Sequence, residues 1–193
     1  MKTLLKNART VVTCDDSDAV LHGADVLLDS GVIAGTGSFD PADADETVDA
    51  SALILYPGLI NTHHHLYQYF TRNLRQVQGL ELFDWLVALY GIWAHLGEKT
   101  VRLSSLCGMA ELMKYGCTTC FDHHYVFPKG AGDLLAAQFE AASALGIRMV
   151  SSRGSMSLSK KDGGLPPDSV VQTTDEILDD SRYAIETYHD PSP

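Results

Sequence analysis

Pro57-Gly58-Leu59-Ile60-Asn61-Thr62-His63-His64-His65-Leu66 is the stretch that decides the fold. A short apolar strand signal runs from Leu59 straight into three histidines, with Pro-Gly just upstream. Side chains alternate across a strand, so His63 and His65 point to one face and His64 to the other. Two imidazoles on one face can share a single metal ion. Taken out of context, the same run is a polar strand end, or one ligand and two solvated rings. Its context favours the metal, because the carboxyl ends of the strands carry the chemistry in α/β barrels. A catalytic metal takes about three protein ligands and keeps an open position. His63 and His65 supply two at most.

Downstream, strand and helix signals alternate. Residues 81–95 read as an aromatic helix containing Trp85 and Trp93, both expected in the core. Leu103, Leu106, Ala110 and Met113 mark one face of a second helix that stops at Gly116. Cys117–Phe121 reads as a strand. Leu135, Phe139, Ala142 and Leu145 mark a third helix, stopped by Gly146, and Ile147–Val150 reads as another strand. Thr173 with Glu176 forms a capping box for a last helix through about Tyr188. Such alternation implies a parallel sheet with crossover helices. About three strand–helix units fit.

Upstream, residues 1–57 read as short strands and turns. Asp25–Leu28 and Val32–Ala34 flank Asp29-Ser30-Gly31, a hairpin signal. Gly35, Gly37, Pro41 and the acidic stretch from Asp43 to Glu46 mark a loop, followed by a strand at Leu53–Tyr56. The expected domains are therefore 1–57, all β, and 58–193, α/β.

Composition narrows the function. A net charge of −11 disfavours nucleic acid and anionic membranes as partners, since both attract basic surfaces. No apolar run approaches the roughly 18–20 residues needed to span a bilayer, and the start is expected to carry no signal peptide. The four cysteines, Cys14, Cys107, Cys117 and Cys120, do not resemble a disulfide framework, which favours a reducing, cytoplasmic location. Cys117-Thr118-Thr119-Cys120 has redox or zinc spacing, but it lies on a strand, where residues three apart face opposite ways. Buried small residues are the better reading.

Other polar residues cluster at the expected strand ends. Gln68, Tyr67 and Arg72 follow the histidines and either read a planar polar substrate or form a surface loop. Asp122-His123-His124 read first as a polar loop; the alternatives are that they line a pocket, with His123 a substrate contact, or hydrogen-bond to a ligand from behind. Arg153 and Ser155 follow the third strand and are expected to face the pocket. His22, His95 and His189 lie outside the strand ends and read as structural or solvated.

On these residues the sequence resembles the amidohydrolase superfamily, metal-dependent hydrolases built on a (β/α)8 barrel. Pro57 to His65 resembles its His-x-His first strand. His63-His64-His65-Leu66-Tyr67-Gln68, Leu82-Phe83-Asp84-Trp85-Leu86, Gly116-Cys117-Thr118-Thr119, Asp122-His123-His124-Tyr125 and Arg153-Gly154-Ser155-Met156-Ser157 together resemble the 8-oxoguanine deaminase and hydroxyatrazine ethylaminohydrolase branch. The resemblance implies about the first three units of a TIM barrel, preceded by part of a small β-sandwich. It implies one divalent metal, zinc, on His63 and His65, with substrate contacts at Gln68, Arg153 and His123. It implies hydrolytic deamination of a small purine-like heterocycle, or a triazine amino- or chlorohydrolase, and a homo-oligomer at full length. The proton shuttle and remaining ligands of that family have no counterpart before Pro193. The chain is therefore expected to be an amino-terminal fragment, inactive by itself.

Overall fold

The computed structural model describes residues 1–191, so the last two residues of the expected 58–193 domain lie outside it. Contacts divide the chain into two units, Met1–Gly58 and Leu59–Pro193.

The first unit is all β. Its strands are β1 (Lys2–Ala8), β2 (Thr10–Val12), β3 (Val20–Leu21), β4 (Ala24–Asp29), β5 (Val32–Gly37), β6 (Glu46–Asp49) and β7 (Ile54–Leu55). They form one sheet of order β5-β4-β1-β6 and a second of order β3-β2-β7. Ala8, Val11, Val26 and Ala50 make the core. The β4–β5 hairpin turns at Ser30 and Gly31, both with positive φ, the primed geometry that matches strand twist. The loop expected from Gly35 and Gly37 is instead the end of β5. There the ladder to β4 places Gly35 opposite Leu27 and Gly37 opposite Asp25, so pairing overrides the weak strand preference of glycine. Asp25 is buried and accepts from Lys6 Nζ, Asn7 N and Phe39 N at 2.8–2.9 Å, which ties β1, β4 and the segment after β5 together.

The second unit contains β8 (Leu59–His64), α1 (Leu82–Trp93), α2 (Glu98–Lys114), β9 (Cys117–Asp122), α3 (Leu134–Leu145), β10 (Arg148–Ser151) and α4 (Thr174–Tyr188). Its three strands are parallel, in the order β10-β9-β8. Parallel neighbours need a long crossover, and α2 and α3 provide the two crossovers here. Leu66, Met109, Cys120, Ala141 and Ile147 pack in one buried cluster that joins strands to helices. A second cluster contains Tyr67, Leu89, Trp93, Val126 and Leu134. The expected stops hold: Gly116 follows α2 at φ +84°, and Gly146 caps α3 at φ +73° with its N–H on the Ala142 carbonyl. Thr173 and Glu176 form the reciprocal capping box of α4.

The ladder between β8 and β9 is irregular in two places. Leu59 pairs with Cys117 but Ile60 pairs with Thr119, and Asn61 pairs with Cys120 but His64 with Asp122. Each strand thus carries one extra residue, β9 at Thr118 and β8 within Thr62–His63, which together oppose Phe121. Among the described residues, no helix is long and apolar enough to cross a membrane.

Candidate functional site

The site forms where β8 and β9 end side by side. His63 Nε2 and His65 Nε2 lie 3.1 Å apart. Two nitrogens at about 2.0–2.1 Å from a tetrahedral ion would be separated by roughly 3.3 Å, so the pair fits one shared cation. His65 Nδ1 donates to the His123 carbonyl at 2.8 Å. In the neutral ring that bond places the proton on Nδ1 and leaves the Nε2 lone pair facing His63. Burial, with the neighbouring His63 and His123 charges, lowers the pKa of His65 against that hydrogen bond, which favours the neutral ligand form. Two histidines are part of a ligand set. Among the described residues no group of three or more His, Cys, Asp or Glu is placed to hold a metal.

The end of β9 holds this segment from below. Asp122 is fully buried, and its Oδ1 accepts the Leu66 backbone N–H at 2.6 Å. Its Oδ2 accepts from Gln138 Nε2 at 2.6 Å, and Gln138 Oε1 accepts from Ser151 Oγ at 2.9 Å. Burial outweighs the Leu66 and Gln138 hydrogen bonds and pushes the Asp122 carboxyl up to about 6. Behind Leu66, α2 comes close at Gly108, where a Cβ would sit 2.8 Å from Leu66 Cδ2. A side chain at residue 108 would have to displace the end of Leu66.

A cleft of about 630 Å³ opens beside the histidines, lined in part by Gln68, Trp85, Tyr69, Arg72 and Glu111. Gln68 reaches this cleft, and its Nε2 donates to Tyr67 Oη at 3.1 Å. Tyr67 itself is a core residue, 1% exposed, and so is no substrate reader. Arg72 is paired to Glu111 at 2.6 Å and stacks 4.0 Å above the Tyr69 ring. Trp93 is buried as expected, whereas Trp85 is only half-buried and faces the cleft.

His123 acts through its backbone: its carbonyl orients His65, and its ring lies 4.4 Å from that of His63. Arg153 is drawn away from substrate duty. Its guanidinium bonds Asp180 of α4, Gln172 Oε1 and the Gly154 carbonyl, and covers the Phe127 ring at 4.2 Å. Ser155, His22, His95 and His189 are exposed. His64 is half-buried, with an Nδ1 that has no partner. Cys117 and Cys120 are buried free thiols, and burial pushes Cys120 up to about 12, the character of a packing residue. Gln138 and Glu111 were not singled out by sequence. Each sits within a helical pattern that offers no local signal of a polar partner.

Comparison with known proteins sets this geometry in context. The sequence model described as "Amidohydrolase family" matches residues 54–191. The 8-oxoguanine deaminase of Pseudomonas aeruginosa is 40% identical over 190 residues, covering 97% of this chain and 42% of that protein. Hydroxydechloroatrazine ethylaminohydrolase of Pseudomonas sp. strain ADP is 37% identical, covering 99% of this chain and 42% of its own length. The crystal structure of atrazine chlorohydrolase TrzN from Arthrobacter aurescens TC1, complexed with zinc, superposes with a TM-score of 0.92 at 32% identity. It is covered over 99% of this chain and 44% of its own. This chain thus spans less than half the length of the relatives it matches.

Proposed function

This chain belongs to the amidohydrolase family, and on that premise we propose that the whole protein is a metal-dependent hydrolase of C–N bonds outside peptides. Its reaction is the hydrolytic deamination of a small, planar, aminated heterocycle of the 8-oxoguanine type. The observation that carries the reading is the His63–His65 pair, with facing Nε2 atoms and His65 Nδ1 committed to a carbonyl. Identity of 40% to an 8-oxoguanine deaminase supports the substrate class.

In this reading His63 and His65 hold one zinc ion through Nε2, and the His123 carbonyl fixes the His65 tautomer. The bound ion supplies Lewis acidity and a water that ionises near neutral pH. Water adds to the ring carbon that bears the amino group, the C–N bond breaks and ammonia leaves. Gln68 offers an amide donor and acceptor to the edge of the ring, and Trp85 offers an apolar face in the same cleft. A site that hydrogen-bonds its substrate edge rejects analogues lacking the partner group by large factors. General acid–base work is assigned to none of the described residues. The free cysteines fit a reducing, cytoplasmic location.

A second reading, displacement of chloride or an alkylamine from a triazine, is favoured by the likeness to atrazine chlorohydrolase. Elemental analysis of the whole protein tests the ligand assignment. His63→Ala and His65→Ala are expected to lose zinc, and His64→Ala to keep it. Ammonia release from 8-oxoguanine, against chloride or amine release from triazines, separates the two chemistries. Zinc retained in both His63→Ala and His65→Ala would defeat the reading.

A further inference from the structure

We propose that Asp122 and Gln138 are positioning residues for the metal ligand His65, acting through the backbone N–H of Leu66. The proposal rests on the reading of His63 and His65 as ligands of one metal. A buried polar run links the ends of three successive strands: Ser151 at the end of β10, Gln138 on α3, Asp122 at the end of β9 and Leu66 just past β8. Asp122 and Gln138 are both 0% exposed. A buried carboxylate is costlier than an apolar side chain of similar volume, so packing alone does not explain it.

What Asp122 holds does explain it. Its one backbone donor is the N–H of the residue directly after His65. The next residue, His123, gives its carbonyl to the His65 ring. Two consecutive residues, Asp122 at the end of β9 and His123 just past it, therefore grip the ligand at two points, one on the ring and one on the main chain. Gln138 donates to the other carboxylate oxygen, and Ser151 orients the Gln138 amide, so the carboxylate plane is fixed as well. With either hold released, the His65 ring is free to turn away from His63 Nε2.

The test measures zinc affinity of the whole protein by competition with a chromophoric chelator, beside the cobalt(II) absorption spectrum and a thermal melt. Asp122→Ala is expected to weaken zinc binding by about 10–100-fold, the usual range for groups that orient a ligand, and to alter the cobalt spectrum. Asp122→Asn keeps an acceptor for Leu66 and is expected to recover most of the affinity. Gln138→Leu is expected to weaken binding in the same direction and decides the matter should Asp122→Ala not fold. A lowered melting temperature with zinc affinity within about threefold of wild type, and an unchanged cobalt spectrum, overturns the proposal. His65→Ala is the control. Zinc lost there but kept in Asp122→Ala and Gln138→Leu refutes the positioning role alone. Zinc kept in His65→Ala refutes the ligand assignment beneath it.

Discussion

His124 sets an acid limit on the stability of the strand–helix unit. Its ring is fully buried, with Nε2 donating to the Val126 carbonyl at 3.0 Å and Nδ1 without a partner. Burial first, then the charges of Arg153 and His65, bring its pKa down to about 3 against the pull of the Val126 hydrogen bond. Asp122 Oδ2 lies 3.9 Å from Nδ1, too far for a hydrogen bond. The two shifts also run opposite to those of an ion pair, since Asp122 is raised and His124 lowered. In the unfolded chain the imidazole takes a proton near about 6.5. Between these values the unfolded state binds more protons, so this contribution is complete above about pH 6.5 and is lost as pH falls towards 3. The loss is about 2 kcal/mol by pH 5 and about 3 kcal/mol by pH 4. Asp122 works the other way. Its folded pKa is raised, so its contribution is full below about pH 4 and is lost as pH rises through 6, giving back about 1 kcal/mol by pH 5. A raw acid titration mixes the two. Comparison with His124→Gln, which keeps a donor for Val126 and does not titrate, separates them. Urea unfolding of metal-free protein, followed by Trp85 and Trp93 fluorescence at pH 7.5, 6, 5 and 4, gives both stabilities. The advantage of wild type over the variant should shrink by about 2 kcal/mol between pH 7.5 and 5. An advantage constant to within about 0.5 kcal/mol would mean that His124 protonates as readily folded as unfolded, and the argument from burial would fail.

Arg153→Lys is expected to lower stability by about 2 kcal/mol with KM unchanged, because a lysine cannot make the forked contacts to Asp180, Gln172 and Gly154. A raised KM at unchanged stability would restore Arg153 as a substrate contact. Thr173→Ala removes the hydroxyl half of the α4 capping box, leaving the backbone N–H of residue 173 on Glu176, and should cost about 1 kcal/mol, read from the urea midpoint. Gly146→Ala must enter the left-handed region at φ +73° and is expected to cost about 1 kcal/mol by the same measure. The double variant Cys117→Ala, Cys120→Ala should keep its zinc content while losing stability to the cavities left. A stoichiometric drop in zinc would show that the thiols do bind metal.

Strand alternation made the His63–His65 pairing legible, because both halves of the signal are side chains two residues apart. The helices were legible for a similar reason: their apolar spacing, Gly116, Gly146 and the Thr173–Glu176 box are all local. What stayed hidden depends on partners distant in sequence. Arg153 reads as a pocket residue until Asp180, 27 residues on, claims its guanidinium. Tyr67 reads as a substrate contact until Trp93 and His124 close around its ring. His123 contributes a carbonyl, a group every residue possesses and no motif records. Gln138 lies in a helix whose other buried residues, Leu134, Leu135, Ala137, Ala141 and Ala142, are all apolar, and only the position of Asp122 reveals its task.

The paired irregularities between β8 and β9 bear on how this segment can change in evolution. Leu59 to His64 and Cys117 to Asp122 contain equal numbers of residues, because the extra residue of one strand offsets that of the other. A single-residue deletion in either strand would leave the other's surplus uncompensated and move His63 or Asp122 to the wrong face. Matched deletions would keep the strand ends level. A deletion or insertion in one strand alone is therefore expected to be costlier here than a matched pair, one in each strand. A deletion scan of residues 59–62 and 117–121, which spares the histidines and Asp122, is expected to lose zinc in single deletions and to regain it only in double ones, one from each strand.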